Sequence, residues 1–181
     1  SFSSSGTYGD FFKGQNHINI SANIMGFELS KVKTQKHLQR VIMMVIMFLI
    51  SEFIYQGERG KFKSVIIIDE AWDLMGGGEM SSFMEGLARR VRKYNASLVT
   101  GTQNANDYYK NDASRACFEN SDWRLLMAQK EESISQLQKS GKLIVDDNQL
   151  KILSSLADAS SGFSEIAITG PESFGVARFI V

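Results

Sequence analysis

Two carboxylates stand at the end of a continuous apolar run, Val65-Ile-Ile-Ile-Asp69-Glu70. A buried strand with that ending delivers both acids to its C-terminal edge, where open α/β sheets bind their ligands. This is a Walker B arrangement, in which Asp69 would associate with a magnesium ion and Glu70 would orient or deprotonate an attacking water. Further along, Ser97-Leu-Val-Thr100 leads into Gly101-Thr102-Gln103. A neighbouring strand would thereby present the Gln103 amide beside a γ-phosphate and its water. Each motif alone has a plainer reading: solvated acids closing a strand, and a turn in which Thr102 or Asn104 caps the next helix. Their occurrence together, in this order, favours nucleotide hydrolysis.

Basic residues form a third group. Arg89-Arg90-Val91-Arg92-Lys93 closes a helical stretch and lies opposite its apolar stripe. It either complements the helix dipole or reaches the phosphates of a neighbouring subunit, or a translocating polyanion, and both readings stand. Arg124 and Arg178 interrupt apolar strands, each as partner of a nearby carboxylate or as a second phosphate contact. A phosphate-cradling G-x-x-x-x-G-K-[ST] loop is absent from the 181 residues. Gly60-Lys61 has Tyr55 at the first-glycine position and Phe62 after the lysine; Gly141-Lys142 has Gln136 and Leu143. Without that loop's amides and lysine, the sequence holds half of a nucleotide site.

The elements that must position these groups alternate. Residues 64–69, 96–100 and 123–128 read as strands, the first as one covered on both faces of a parallel sheet. Residues 81–93 have helical spacing, with Phe83, Met84, Leu87, Ala88 and Val91 on one face. Short helical turns are expected over 105–118, and helices over 134–140 and 148–156, the latter capped by Asp146 or Asp147. A hairpin closes the chain, with strands at 164–169 and 175–181 around Gly170-Pro-Glu-Ser173. Upstream, 17–20 and 24–29 suggest one or two short strands. Residues 34–55 suggest a helix apolar on every face, packing Val41, Val45, Phe48 and Leu49 against the sheet. Gly57, Gly60, Lys61 and Lys63 turn the chain out of it. The whole is an α/β architecture with a largely parallel sheet.

Composition narrows the function classes. Twenty basic and twenty acidic residues cancel, which excludes tail-driven nucleic-acid binding, and 43% apolar with 22% charged residues excludes disorder. One cysteine, Cys117, and two histidines allow neither an internal disulfide nor a Cys/His zinc site, and suit a reducing compartment. Residues 1–181 read as a single domain, with 1–14 as a loop. The start has neither a signal peptide nor an initiator Met, so a piece of a longer chain is expected. The greasy run 41–50 falls short of the roughly 20 apolar residues of a membrane span and reads as a buried helix.

Taken together, Val65-Ile-Ile-Ile-Asp-Glu-Ala-Trp72, Arg92-Lys-Tyr-Asn95, Thr100-Gly-Thr-Gln103 and Gly175-Val-Ala-Arg-Phe-Ile180 resemble the C-terminal half of the TraC-type ATPases of conjugation and type IV secretion, in the HerA/FtsK group of RecA-like motors. Tyr8-Gly-Asp-Phe-Phe12 and Phe27-Glu-Leu29 extend the resemblance over most of the chain. It implies part of a RecA-like P-loop NTPase core: a mostly parallel sheet flanked by helices, with a C-terminal β-hairpin. Asp69 would be the magnesium-associated acid, Glu70 the catalytic glutamate and Gln103 the sensor. Thr102 and Arg178 would lie near the nucleotide, and Arg89, Arg92 or Arg124 would be the arginine finger. ATP and Mg2+ are the implied cofactors. Implied partners are further copies of the protein in a hexamer, secretion-channel proteins, and a DNA or protein substrate. The implied location is the bacterial cytoplasm, peripheral to the inner membrane through partners.

In the family the P-loop strand lies upstream of the position of Ser1, so the chain alone is expected to be inactive. A DEA-box helicase, reading Asp69-Glu70-Ala71-Trp72 as the box, fits less well, because that group ends the next strand in Ser-Ala-Thr rather than Thr-Gly-Thr-Gln. The remaining alternative is a non-catalytic docking module, with Met43, Met44 and Met47 on an interaction face.

Overall fold

β-Branched and leucine side chains suit a pleated, half-buried surface, and the runs at 64–68 and 96–100 are strands. The computed structural model describes residues 6, 8, 9, 13, 15, 22–56, 63–71, 78–141, 143, 145–158, 160 and 162–180. In chain order these form a 3-10 turn at Ser30–Val32, α1 (Lys36–Gln56), β1 (Ser64–Ile68) and α2 (Gly78–Arg90), which runs into a 3-10 turn at Val91–Tyr94. There follow β2 (Ala96–Thr100), a 3-10 turn at Ala105–Tyr109, α3 (Asp112–Glu119) and β3 (Arg124–Met127). The chain closes with α4 (Glu131–Lys139), α5 (Asp147–Ser154), β4 (Phe163–Thr169) and β5 (Phe174–Ile180). Two compact units result, Ser1–Phe53 and Ile54–Val181, and the division falls inside α1.

In the second unit β1 and β2 pair in parallel, with Ile66 opposite Leu98 and Ile68 opposite Thr100. Parallel neighbours need a crossover, and α2 supplies it. Met84 and Ala88 of α2, Ala113 and Cys117 of α3, and Ala71 form a buried cluster against which Ile68, Leu98 and Tyr108 pack. That cluster covers one face of the strand pair. On the other face Val65 is 63% and Ile67 74% exposed, and Val99 is exposed as well. The expected cover on both faces is thus found on one only among the described residues, because α2 and α3 both pack on the Ile68 and Leu98 side.

The remaining strands form a separate antiparallel sheet, β3-β4-β5. The hairpin is as expected, closed by Gly170 N–H to the Ser173 carbonyl at 2.8 Å. β3 was expected beside β1 and β2, but it takes its ladder from β4, pairing Leu126 with Ala167. The physical reason lies behind the strand: Leu126, Ala167 and Phe174 join Ile134 of α4 and Leu153 of α5 in a second core. Asp146 starts α5 as expected, its Oδ1 accepting the N–H groups of Asn148 and Gln149 in a capping box.

In the first unit, α1 buries Leu38, Met43 and Ile46, while Met44, Val45 and Phe48 are exposed, Phe48 by 61%. The expectation of a largely buried helix with Val45 and Phe48 packed is corrected: a helix apolar all round carries more apolar surface than the described residues cover. Residues Lys36–Ile54 are long and apolar enough to cross a membrane by length and composition, a property shared with core helices of globular proteins. Residues 24–29 are not a strand and end in the 3-10 turn instead. The suggested strand at 17–20, most of the loop at 1–14, and Gly57, Gly60 and Lys61 lie outside the described residues.

Candidate functional site

The acids occupy the position that strand polarity dictates, directly past the C-terminal end of β1. Two backbone hydrogen bonds continue the pairing beyond the strands: Gly101 N–H to the Ile68 carbonyl and Ala71 N–H to the Gly101 carbonyl, both 2.9 Å. They hold 69–71 alongside 101. Gly101 suits this closeness, since a Cβ there would stand 3.3 Å from Asp69 Oδ1, a tight approach that would press on that carboxylate. Asp69 Oδ1 also accepts the Glu70 N–H at 2.9 Å. Glu70 itself has φ 51°, left-handed backbone that a non-glycine residue adopts only at a cost of about 1–3 kcal/mol. Such local strain is typical of positions where the surrounding structure must aim a side chain.

The aim is visible in the contact it makes. Gln103 Nε2 donates to Glu70 Oε1, joining residues 33 apart in sequence across the edge of the parallel pair. Thr102 faces the other way, its hydroxyl donating to Asp107 Oδ2. Asp69, Glu70 and Gln103 therefore converge at one sheet edge, while Thr102 turns towards the 3-10 turn that follows. The bland capping role falls to Asn104, whose Oδ1 accepts the Asn106 N–H at 2.9 Å.

The arginines are engaged elsewhere. Arg89 pairs with Glu85 one turn back on α2 at 2.9 Å, and Arg92 with Asp122 at 3.4 Å, all four side chains being exposed. Arg124 lies 4.0 Å over the Phe118 ring and donates through Nη2 to the Phe118 carbonyl at 3.5 Å. Arg178 donates through Nε and Nη2 to Glu165 Oε1, its register partner on β4, and stacks 4.0 Å over Phe163. Arg178 thus realises the carboxylate-partner reading of its sequence position. Glu165 in turn has its carboxyl held below the ordinary range, first by the Arg178 hydrogen bond and then by the Ala157 N–H.

Sequence reasoning passed over two residues of this region. Gly101 was legible as a glycine wedged between a buried strand and a polar pair. Asp107 gave no signal, because its partner Thr102 lies five residues away, off any helical or strand period.

The family model of the TraG P-loop domain matches residues 1–172. The chain belongs to the TraG P-loop domain family. Protein TraC of Escherichia coli (strain K12) is 26% identical over 134 residues, which are 71% of this chain and 15% of TraC. The solved structure of VirB4 of Thermoanaerobacter pseudethanolicus shares the fold with a TM-score of 0.58 at 22% identity, over 84% of this chain and 39% of that one. The TraG P-loop domain described here is thus an α/β P-loop NTPase fold with a parallel strand pair and a C-terminal antiparallel hairpin, and it spans a small part of the length of TraC. P-loop NTPases in general use ATP and Mg2+. The donor set fits such a group, since Asp69 and Glu70 bring two hard carboxylates to the strand end. Mg2+ keeps several waters and takes one or two carboxylates together with substrate phosphates, so a dedicated cage is not required.

Proposed function

We propose that this chain supplies the Walker B acid, the catalytic glutamate and the sensor of an ATP-driven motor for conjugative transfer or type IV secretion. The observation that carries this reading is the convergence of Asp69, Glu70 and Gln103 at the C-terminal ends of two paired parallel strands, with Gln103 hydrogen-bonded to Glu70. Asp69 would stand nearest the ion, which would neutralise charge developing on the phosphates. Glu70 would orient the attacking water and take its proton. Gln103, already on the Glu70 carboxylate, would hold that base in place and register the loss of the γ-phosphate. Residues 1–181 are read as one portion of a RecA-like ATPase domain whose phosphate cradle lies in sequence outside this chain. Arg89 and Arg92, exposed on α2 and its extension, remain candidates for a finger donated to a neighbouring subunit in a hexamer. Arg124 and Arg178 would need to leave their present partners to serve. Secretion-channel proteins, a DNA or protein substrate, and a cytoplasmic position peripheral to the inner membrane complete the proposal.

The deciding variant is Glu70→Gln in the complete gene product. The amide keeps the shape and the Gln103 contact but is no base, so turnover should fall by at least about 100-fold while ATP binding is retained. Unchanged hydrolysis removes Glu70 from the mechanism. The 181-residue chain by itself is expected to bind Mg-ATP weakly or not at all, and micromolar binding by calorimetry would contradict the half-site reading. The exposed Met44 and Phe48 of α1 favour a second reading, a non-catalytic docking module. Normal turnover in the Glu70→Gln protein combined with loss of partner binding on Phe48→Ser would select it.

A further inference from the structure

Gln103 stands in a stretch, 101–104, that belongs to no helix or strand, on a flexible and exposed side chain. A group acting on a water must be held to within about 0.5 Å, which a free loop cannot do. The upstream end is tied to β1 through Gly101, as described. The downstream end is gripped from behind by the 3-10 turn Ala105–Tyr109. Asp107 uses both carboxylate oxygens there: Oδ2 accepts the Thr102 hydroxyl, and Oδ1 pairs with Lys110 Nζ at 2.6 Å. Its side chain is 12% exposed. Burial alone would raise its pKa, and the hydrogen bonds from Lys110 and Thr102 more than offset that, so the carboxylate stays charged in its grip.

Tyr108, the next residue, holds the strand end. Its hydroxyl donates to the Thr100 carbonyl at 2.8 Å, and with its single hydrogen so used it accepts from Thr100 Oγ1 at 2.9 Å. The Tyr108 ring packs on the core cluster of Ala113 and Cys117 and lies 5.8 Å from the Phe118 ring, which anchors the turn to α3. Thr100 and Thr102 are therefore both fixed from one turn, and Gln103 is the next residue along.

We propose that Asp107 and Tyr108 are positioning residues that set the Gln103 amide on Glu70. This rests on the sensor reading of Gln103 given above. Asp107 bonds Thr102 and Tyr108 bonds Thr100, so each acts on the acids through the segment 100–103.

The test compares Asp107→Ala, Asp107→Asn, Gln103→Ala and the double variant Asp107→Ala/Gln103→Ala in the complete gene product. Asp107→Ala should lower kcat for ATP hydrolysis by about 10- to 100-fold, as displacements near 1 Å do, with KM and melting temperature kept. Asp107→Asn still offers an oxygen to Thr102 and should recover most of that loss. The double variant should be no slower than Gln103→Ala, since both act through one group. Independent, multiplying losses overturn the proposal, as does an Asp107→Ala protein with normal kcat when Gln103→Ala is impaired. If Gln103→Ala itself turns over normally, the sensor reading has failed, and amide hydrogen exchange on the 181-residue chain decides the clamp. Exchange at 102–104 should then be about tenfold faster in Asp107→Ala, with β1 and β2 unchanged. Unaltered exchange at 102–104 sinks the clamp.

Discussion

The edge of the β1-β2 pair and the β3-β4-β5 sheet both carry charged side chains on apolar strands, and they use them in opposite ways. At the first edge the charges come after the last ladder residue. Asp69 accepts the N–H of its own turn and Glu70 accepts from Gln103, both at the edge where open α/β sheets bind their ligands. In the second sheet the charges lie within the strands and turn to neighbours: Arg178 to Glu165 across the ladder, and Arg124 to the Phe118 ring and carbonyl, with its buried Nε left without a partner among the described residues. A charge in a ladder meets its neighbours where it stands, whereas one beyond the strand end lies where ligands approach an open α/β sheet.

The largest expected effect sharpens this contrast with glycines. Gly101→Val places a branched side chain against Asp69 Oδ1, and hydrolysis by the complete protein should drop about 100-fold. At Gly175, on β5, an added Cβ meets no atom within 4 Å, and Gly175→Ala should leave both turnover and melting temperature unchanged. Equal effects of the two would erase the distinction between edge and ladder.

A smaller effect concerns the ladder pair. Arg178→Ala should lower the melting temperature modestly and leave kcat intact, since the pair is structural; a collapse of kcat at unchanged stability would return Arg178 to the nucleotide. The contribution of the pair follows pH with a definite sign. The Glu165 carboxyl is depressed in the folded protein below its ordinary value of 4.5, so its stabilisation is fully present above that value and is lost as pH falls through the lower folded one. Melting curves of wild type and Glu165→Gln should differ at neutral pH and converge in acid.

The smallest effect is chemical. Cys117 is buried in the core beneath β1 and β2, and desolvation pushes its thiol up to about 11. Iodoacetamide at pH 8 should label the native chain far more slowly than the urea-unfolded chain. Rapid native labelling would mean that the core under the site opens readily.

Much of the site was legible because its parts are local. Four β-branched or aliphatic residues followed by two acids already specify a strand and what hangs from its end, and Ser97 to Gln103 repeats that logic with an amide. The partners of the arginines were not legible. Arg178 finds Glu165 only because the hairpin register sets 165 opposite 178, and a shift of one residue would turn it to the other face. Likewise α1 has the composition of a buried helix, yet the exposure of Phe48 depends on what its neighbours can cover.

By itself the sequence determined the strands at 64–68, 96–100 and 124–127, the closing hairpin, the main helices, an aspartate cap for α5 at 146 or 147, and the candidate acid pair and amide, since each follows from propensity and period within a dozen residues. Tertiary structure alone decided that Gln103 reaches Glu70, that Glu70 adopts left-handed backbone, that Thr102 is spent on Asp107, and that β3 joins the hairpin. The reason is that contacts between residues far apart in the chain depend on strand register and on which faces pack together, and the closure of those contacts is a property of the whole core rather than of any segment.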